Sequence, residues 1–258
     1  MTSSPAVRSF EYWLHSAKHA WRPSLLSTVL NPVLYLAALG VGLGALVDRG
    51  DPSGLGGVTY LAFVAPGLMA ATAMQIAAGE AGQPVRGAFQ FTRAYHAMLA
   101  TPLDVRGVLH GHLLWILFRV VTSCAIYAAV IAAFGVFHSG WALLALPAAV
   151  LTGMAFATPI AAFAITQDRD LAFAALSRFA IVPMFLFSGT FFPIEELPGA
   201  LEPIAYVTPL WHGVDLAREL SLGTAGAGAA LLHAGYLGLW VVAGLAVAGI
   251  TFRRRLRV

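Results

Sequence analysis

The sequence predicts an all-α integral membrane protein. Six transmembrane helices are expected, with an amphipathic helix on the membrane interface before the first and short re-entrant helices before the last. Three observations carry this. The 258-residue chain is 59% hydrophobic and 10% charged, whereas an ordinary soluble domain carries roughly 25% charged residues. Its mean hydropathy is +0.79, and its apolar residues gather into runs of the length that crosses a bilayer, about 20 residues at about 1.5 Å each. Its Lys and Arg fall almost entirely on one side of those runs. The whole of 1–258 reads as a single transmembrane domain with little left over for a soluble one.

Residues 5–22 read as the interface helix. Val7, Phe10, Leu14, Ala17 and Trp21 recur three and four apart, with Arg8, Glu11, His15, Lys18 and Arg22 between them, the pattern of an amphipathic helix. Ser4 is placed to cap it and Pro5 to begin it, and Trp13 and Trp21 suit the headgroup level. The periodic spacing, with no small-residue cleavage site after a short apolar core, argues against a signal peptide.

Spans are expected at 24–47, 60–79, 108–134, 141–166, 171–192 and 229–252. The loop 193–222 is too apolar to be free. Pro193, Pro198, Pro203 and Pro209 cut it into pieces shorter than about 15 residues, none able to cross. Such pieces dip into a membrane only where protein or water satisfies their backbone, so re-entrant helices are expected, the last at about 209–221.

Orientation follows from the basic residues. With both termini cytoplasmic, twelve of them (Arg8, Lys18, Arg22, Arg86, Arg93, Arg106, Arg169, Arg178, Arg253, Arg254, Arg255, Arg257) lie inside and two, Arg49 and Arg218, outside. Arg119 sits within a span. Fourteen Arg against one Lys suggests a GC-rich coding sequence, and the chain is assigned to a bacterial cell membrane.

Enzymatic signatures are absent. No GxxxxGK[ST] phosphate loop, HExxH or GxSxG elbow is present. His110 and His112 are two apart and cannot share a helix face, so no metal site is assigned. Cys124 is the single cysteine and reads as a core residue. Arg119 at depth must snorkel or meet an acid or carbonyl, Glu80 being the nearest candidate, and Gln75 is placed to bond across helices.

Four blocks resemble, in order and spacing, the permease subunits of ABC-2-type exporters, the nodulation-factor and daunorubicin-resistance branch above all. They are NPVLYLAALGVGLG at 31–44, YLAFVAPGLMA at 60–70, YHAMLATPLDVRGVLHGHLLW at 95–115 and FLFSGTFFPIEELPGAL at 185–201. The resemblance covers most of the chain; ATPL and SGTFFP are its most specific parts. It implies a non-catalytic permease that pairs with a second permease subunit, identical or homologous, and with cytosolic ABC ATPase subunits. ATP and magnesium would be bound by those partners, and no cofactor by this chain.

The same resemblance makes 94–103 a coupling helix that docks on the ATPase through Tyr95, His96, Ala97, Met98, Leu99, Thr101, Pro102 and Leu103, Met98 and Leu99 filling an apolar socket. It places a substrate route between spans one, two and five. Tyr35, Gln75, Arg119, Phe185, Phe187, Ser188 and Thr190 are the candidates, their rings and hydroxyls suiting a glycolipid, a lipid-linked oligosaccharide or a hydrophobic drug. His96, His112 and Asn31 stand where an acid is commoner in this branch. A membrane anchor or an ion-coupled secondary transporter stays open as an alternative, although the spans offer few ion-coupling groups.

Overall fold

The computed structural model describes residues 4–18, 30–50, 55, 57–137, 139–169, 171–199 and 201–256. Trp21, Arg22, the start of the first expected span and most of the following turn lie outside these residues. Within them the chain is helical, with no strand.

The first helix, α1 (Pro5–Ala17), begins at Pro5 as expected, but the Ser4 side chain makes no cap. The Ser4 carbonyl instead accepts from the Val7 and Arg8 amides. Its packing face is Ser9 and Trp13, turned onto protein. Gly107 and Gly111, one turn apart, admit it: a Cβ at either would collide with Pro5 or Ser9, the close approach that small residues permit between helices in a membrane. Trp13 therefore lies against His112, ring centroids 4.2 Å apart and the planes tilted by 42°.

Next come α2 (Leu30–Asp48), with a π-helical stretch at Leu36–Leu43, and α3 (Tyr60–Ala81). Asp48 Oδ1 accepts the Tyr60 amide and Thr59 Oγ1 the Ala62 amide, so two side chains answer the free N–H groups at the start of α3. Gly82 breaks the helix before α4 (Gln83–Gln90), and α5 (Ala94–Leu99) follows a turn through Arg93 in left-handed backbone, φ 51°. Asp104 caps α6 (Val105–Ala133) by accepting the Gly107 amide at 2.9 Å. A 3-10 turn at Gly140–Leu144 leads into α7 (Ala145–Ala164).

The fifth expected span is shorter than the sequence suggests. It forms α8 (Leu171–Phe187), interrupted by a π-helical turn at Ser177–Ile181, and reaches only about 25 Å at 1.5 Å per residue. Gly189, at φ 72°, turns the chain back where a continuous helix to 192 was expected. Among the described residues, five helices are long and apolar enough to cross a membrane, and α8, with 17 residues, is the sixth and marginal one.

The proline-cut loop folds as predicted into pieces too short to span: a 3-10 turn at Ile194–Glu196, then α9 (Glu202–Val207) and α10 (Pro209–Leu222). The last helix is α11 (Ala227–Leu256). The core lies where α3, α7 and α10 meet, with alanine, leucine and methionine positions of α3 fully buried. The chain's two ends share one face of the molecule: Ser9 of α1 approaches Met98 of α5, and Phe252 of α11 lies 5.6 Å from the Tyr95 ring. That face carries most of the Arg residues.

Candidate functional site

Two cavities flank Gln75. The larger, about 450 Å³, opens between the C-terminal part of α3, the Gly82 break and α8, lined by Gln75, Gly79, Gln83, Phe173, Ile181 and Phe185 among others. Its walls are mostly apolar. The smaller, about 160 Å³, lies between α2, α3 and α6 and is polar, with Asn31, Thr72, Gln75, Arg119, Ser123 and Tyr127 around it. The Tyr127 hydroxyl is buried there with no hydrogen-bond partner among the described residues. Arg119 finds the acid that its depth required: Nε donates to Glu80 Oε1 at 3.0 Å, and Trp115 Nε1 donates to the other carboxylate oxygen at 3.3 Å.

The route residues thus divide. Gln75, Arg119 and Phe185 line the cavities. Tyr35 is exposed on α2 outside them, and Phe187 is exposed at the end of α8. Ser188 and Thr190 are fully buried in the turn beyond α8, Ser188 Oγ lying 3.0 Å from Thr208 Oγ1 before α10. The Ser188 hydroxyl ties the turn to the start of α10, the Thr190 hydroxyl is buried with no hydrogen-bond partner among the described residues, and neither lines a cavity, because the chain turns at Gly189 instead of continuing the helix along the route.

The 94–103 segment forms a knob at the basic face, but part of it turns inward. Tyr95 is buried with its hydroxyl 2.6 Å from His112 Nδ1, and burial pushes its phenol well above the usual range. Met98 is buried too, its sulfur accepting from Ser9 Oγ at 3.6 Å. The expectation that Met98 fills a partner's socket is therefore corrected: α1 occupies that side. Leu99 and Leu103 are half-buried, and His96 stacks on Phe89 of α4 at 5.4 Å. The outward surface is Ala97, Ala100, Thr101 and Pro102, beside Phe91, which is 69% exposed.

Sequence reasoning missed Arg218, which it counted as an outer topology residue. In the structure Nε donates to the Phe63 carbonyl at 3.1 Å and Nη2 to the Gly189 carbonyl at 2.6 Å, with the guanidinium 3.8 Å from the Phe63 ring centroid. One side chain ties α10 to α3 and to the turn after α8. The available signal was its helical spacing from the apolar Leu210 and Val214, eight and four residues before it. A second cluster pairs His212 and His233, Nδ1 to Nδ1 at 2.8 Å, with His212 stacked on Tyr236. Among the described residues no group of three side chains could hold a metal ion; His110 is exposed and His112 buried, on different faces as their spacing predicts.

The family model for the ABC-2 type transporter matches residues 13–222. Nodulation protein J of Rhizobium leguminosarum bv. viciae is 35% identical over 92% of this chain and 91% of its own length. The protein of the same name from R. leguminosarum bv. trifolii is 33% identical, and that from Rhizobium meliloti (strain 1021) 30% identical, each over 92% of this chain and 90% of the relative.

Proposed function

Since the chain belongs to the ABC-2 type transporter family, in the branch of the nodulation protein J relatives, we propose that it carries an amphipathic or lipid-like molecule outward across a bacterial inner membrane. The family makes it a multi-pass permease subunit of an ABC exporter. Membrane subunits of this family generally leave ATP hydrolysis to a partner chain. On this reading the cargo is a glycolipid, a lipid-linked oligosaccharide or a hydrophobic drug, the mate is a second permease subunit, and both termini are cytoplasmic.

The observation that supports this best is the pair of cavities sharing Gln75. The larger is apolar and bounded by α8, the least buried of the membrane helices beside it; the smaller is polar and lined by neutral hydroxyl and amide groups around a neutralised Arg119. An amphiphile presents those two kinds of surface side by side. The knob at the basic face supplies an exposed, small-residue surface for an ATPase to grip.

The test is co-purification from the native membrane in mild detergent, with ATP turnover measured on the product. An ATPase is expected to accompany the chain, and Ala97→Glu with Thr101→Glu, both on the exposed side of the knob, to remove it without changing the chain's melting. A chain that emerges alone, or whose ATPase ignores that change, defeats the reading.

A further inference from the structure

The turn that follows α7 is held by two distant elements. The amides of Ile165, Thr166 and Gln167 answer the Ala161, Phe163 and Ala164 carbonyls in the last turn of the helix, and the chain then runs through Thr166, Gln167 and Asp168, whose own carbonyls lie beyond it, before α8 begins. Arg255, in the last turn of α11, donates from Nη2 to the Thr166 carbonyl at 2.6 Å. Gln90, at the end of α4, donates to the Gln167 carbonyl at 2.9 Å. Arg86 of α4 donates to the Asp168 carbonyl at 3.1 Å. The Asp168 carboxylate closes the knot, its Oδ1 accepting from Arg255 Nη2 at 2.9 Å and from Gln90 Nε2 at 3.2 Å. Cations are favoured at a helix C-terminus by the peptide dipoles, which accounts for the two arginines.

Each side of the knot continues into an element already described. On one side Phe89, next to Gln90, stacks on His96 of the knob and lies 5.7 Å from the Arg255 guanidinium. On the other, α8 starts three residues beyond Asp168, and Phe173, the one buried residue in α8, meets Phe163 of α7 edge-on at 6.0 Å. Elsewhere α8 is half-buried or exposed and contains its π-helical turn. Segments with few buried contacts are the ones that move at low cost, and α8 is the wall of the 450 Å³ cavity with the fewest of them.

We propose that Asp168 is a positioning residue of the transport cycle: its knot with Arg255, Gln90 and Arg86 carries movement of α4 and α5 to the start of α8 and so sets the width of the apolar cavity. This rests on the export reading above. Lying between two sites is not by itself coupling, so the test reads coupling directly.

The full complex with its ATPase is placed in nanodiscs of phosphatidylethanolamine and phosphatidylglycerol, in a Cys124→Ser background with one reporter, Ser177→Cys, in the cavity wall. Alkylation of the reporter by a polar maleimide is followed with and without ATP and vanadate, beside ATP turnover. In the parent, nucleotide changes the alkylation rate. Asp168→Ala and Arg255→Ala keep turnover close to the parent's and lose that change, the double variant being no worse than either, as expected for residues of one network. Asp168→Asn, which keeps a side-chain oxygen to accept from Arg255 and Gln90 but loses the charge, falls between. A reporter that still responds to nucleotide in Asp168→Ala overturns the proposal; if that variant does not fold, Arg255→Gln and Gln90→Ala carry the same comparison. A parent whose reporter ignores nucleotide sinks the knot and the export reading together, whereas loss of response without loss of turnover in the variants upholds both.

Discussion

Replacing Arg218 by Ala asks whether one half-buried cation holds α10 against α3 and the turn after α8. Its two hydrogen bonds, to the carbonyls of Phe63 and Gly189, are charge-assisted and contribute about 1.5–3 kcal/mol each. Its contact with the Phe63 ring adds about 2 kcal/mol in a desolvated setting. Against these stands the cost of keeping a guanidinium from water, several kcal/mol, which an alanine does not bear. The balance is a loss of about 2–4 kcal/mol, mostly the unpaired Gly189 carbonyl and the freed turn. For a chain of this size about 2–4 °C of melting temperature accompanies each kcal/mol, so a fall of about 4–16 °C is expected. Cys124, the single cysteine and buried in α6, makes the assay direct: a thiol-reactive dye lights up when the core opens. Arg218→Lys, a point donor in place of a fork, should fall between. A variant that melts with the parent would refute the assignment of α10's anchorage to this side chain.

Three further outcomes follow from the geometry. Glu80→Ala strips Arg119 of its carboxylate and should destabilise by about 3 kcal/mol or somewhat less, since both side chains keep some exposure, whereas Glu80→Leu with Arg119→Leu should recover most of the loss in the same dye assay. Gly111→Val forces a side chain into Ser9; the cost is about 1–3 kcal/mol, read as faster hydrogen exchange confined to α1 and its seat on α6. Met98→Asp places a charge in a buried site and should lower the melting point, whereas Ala97→Asp, on the exposed side of the same helix, should leave melting unchanged and weaken the ATPase. Equal melting for these two variants would show that the knob's inward and outward faces are wrongly assigned.

Much of the membrane architecture was legible because it rests on long, one-dimensional signals. Apolar runs and prolines placed the spans and the short helices near Pro209, and the depth of Arg119 demanded an acid that Glu80 supplies. What stayed hidden depends on which way a residue faces once two helices meet. Met98 looked like an outward anchor because the resemblance makes 94–103 a docking helix, yet Gly107 and Gly111 draw α1 onto that side. Ser188 and Thr190 looked like a hydroxylated helix face until Gly189 turned the backbone. Arg218 read as a topology charge because nothing local reveals that the Phe63 and Gly189 carbonyls, 155 and 29 residues away in sequence, would converge on it.

The distribution of burial also bears on how an exporter of this kind would work. The helices α3, α7 and α10 share a closely packed centre in which large side chains of α3 such as Leu68, Met69 and Met74 are fully buried, and well-packed interiors shift between discrete arrangements instead of deforming smoothly. The two π-helical stretches among the described residues fall elsewhere, in α2 and α8, the helices that flank the two cavities at Gln75. A π-helical turn gives up the regular hydrogen-bond ladder and is found mostly as a short insertion, often at functional sites. The α8 turn lies in the wall of the larger cavity through Ser177 and Ile181, whereas the α2 stretch lies further along its helix than Asn31 and Pro32, which line the smaller one. On the export reading, cargo therefore passes by displacement of α2 and α8 against a fixed α3, and substitutions that straighten either π-helical turn should slow transport while leaving the thermal stability of the core intact.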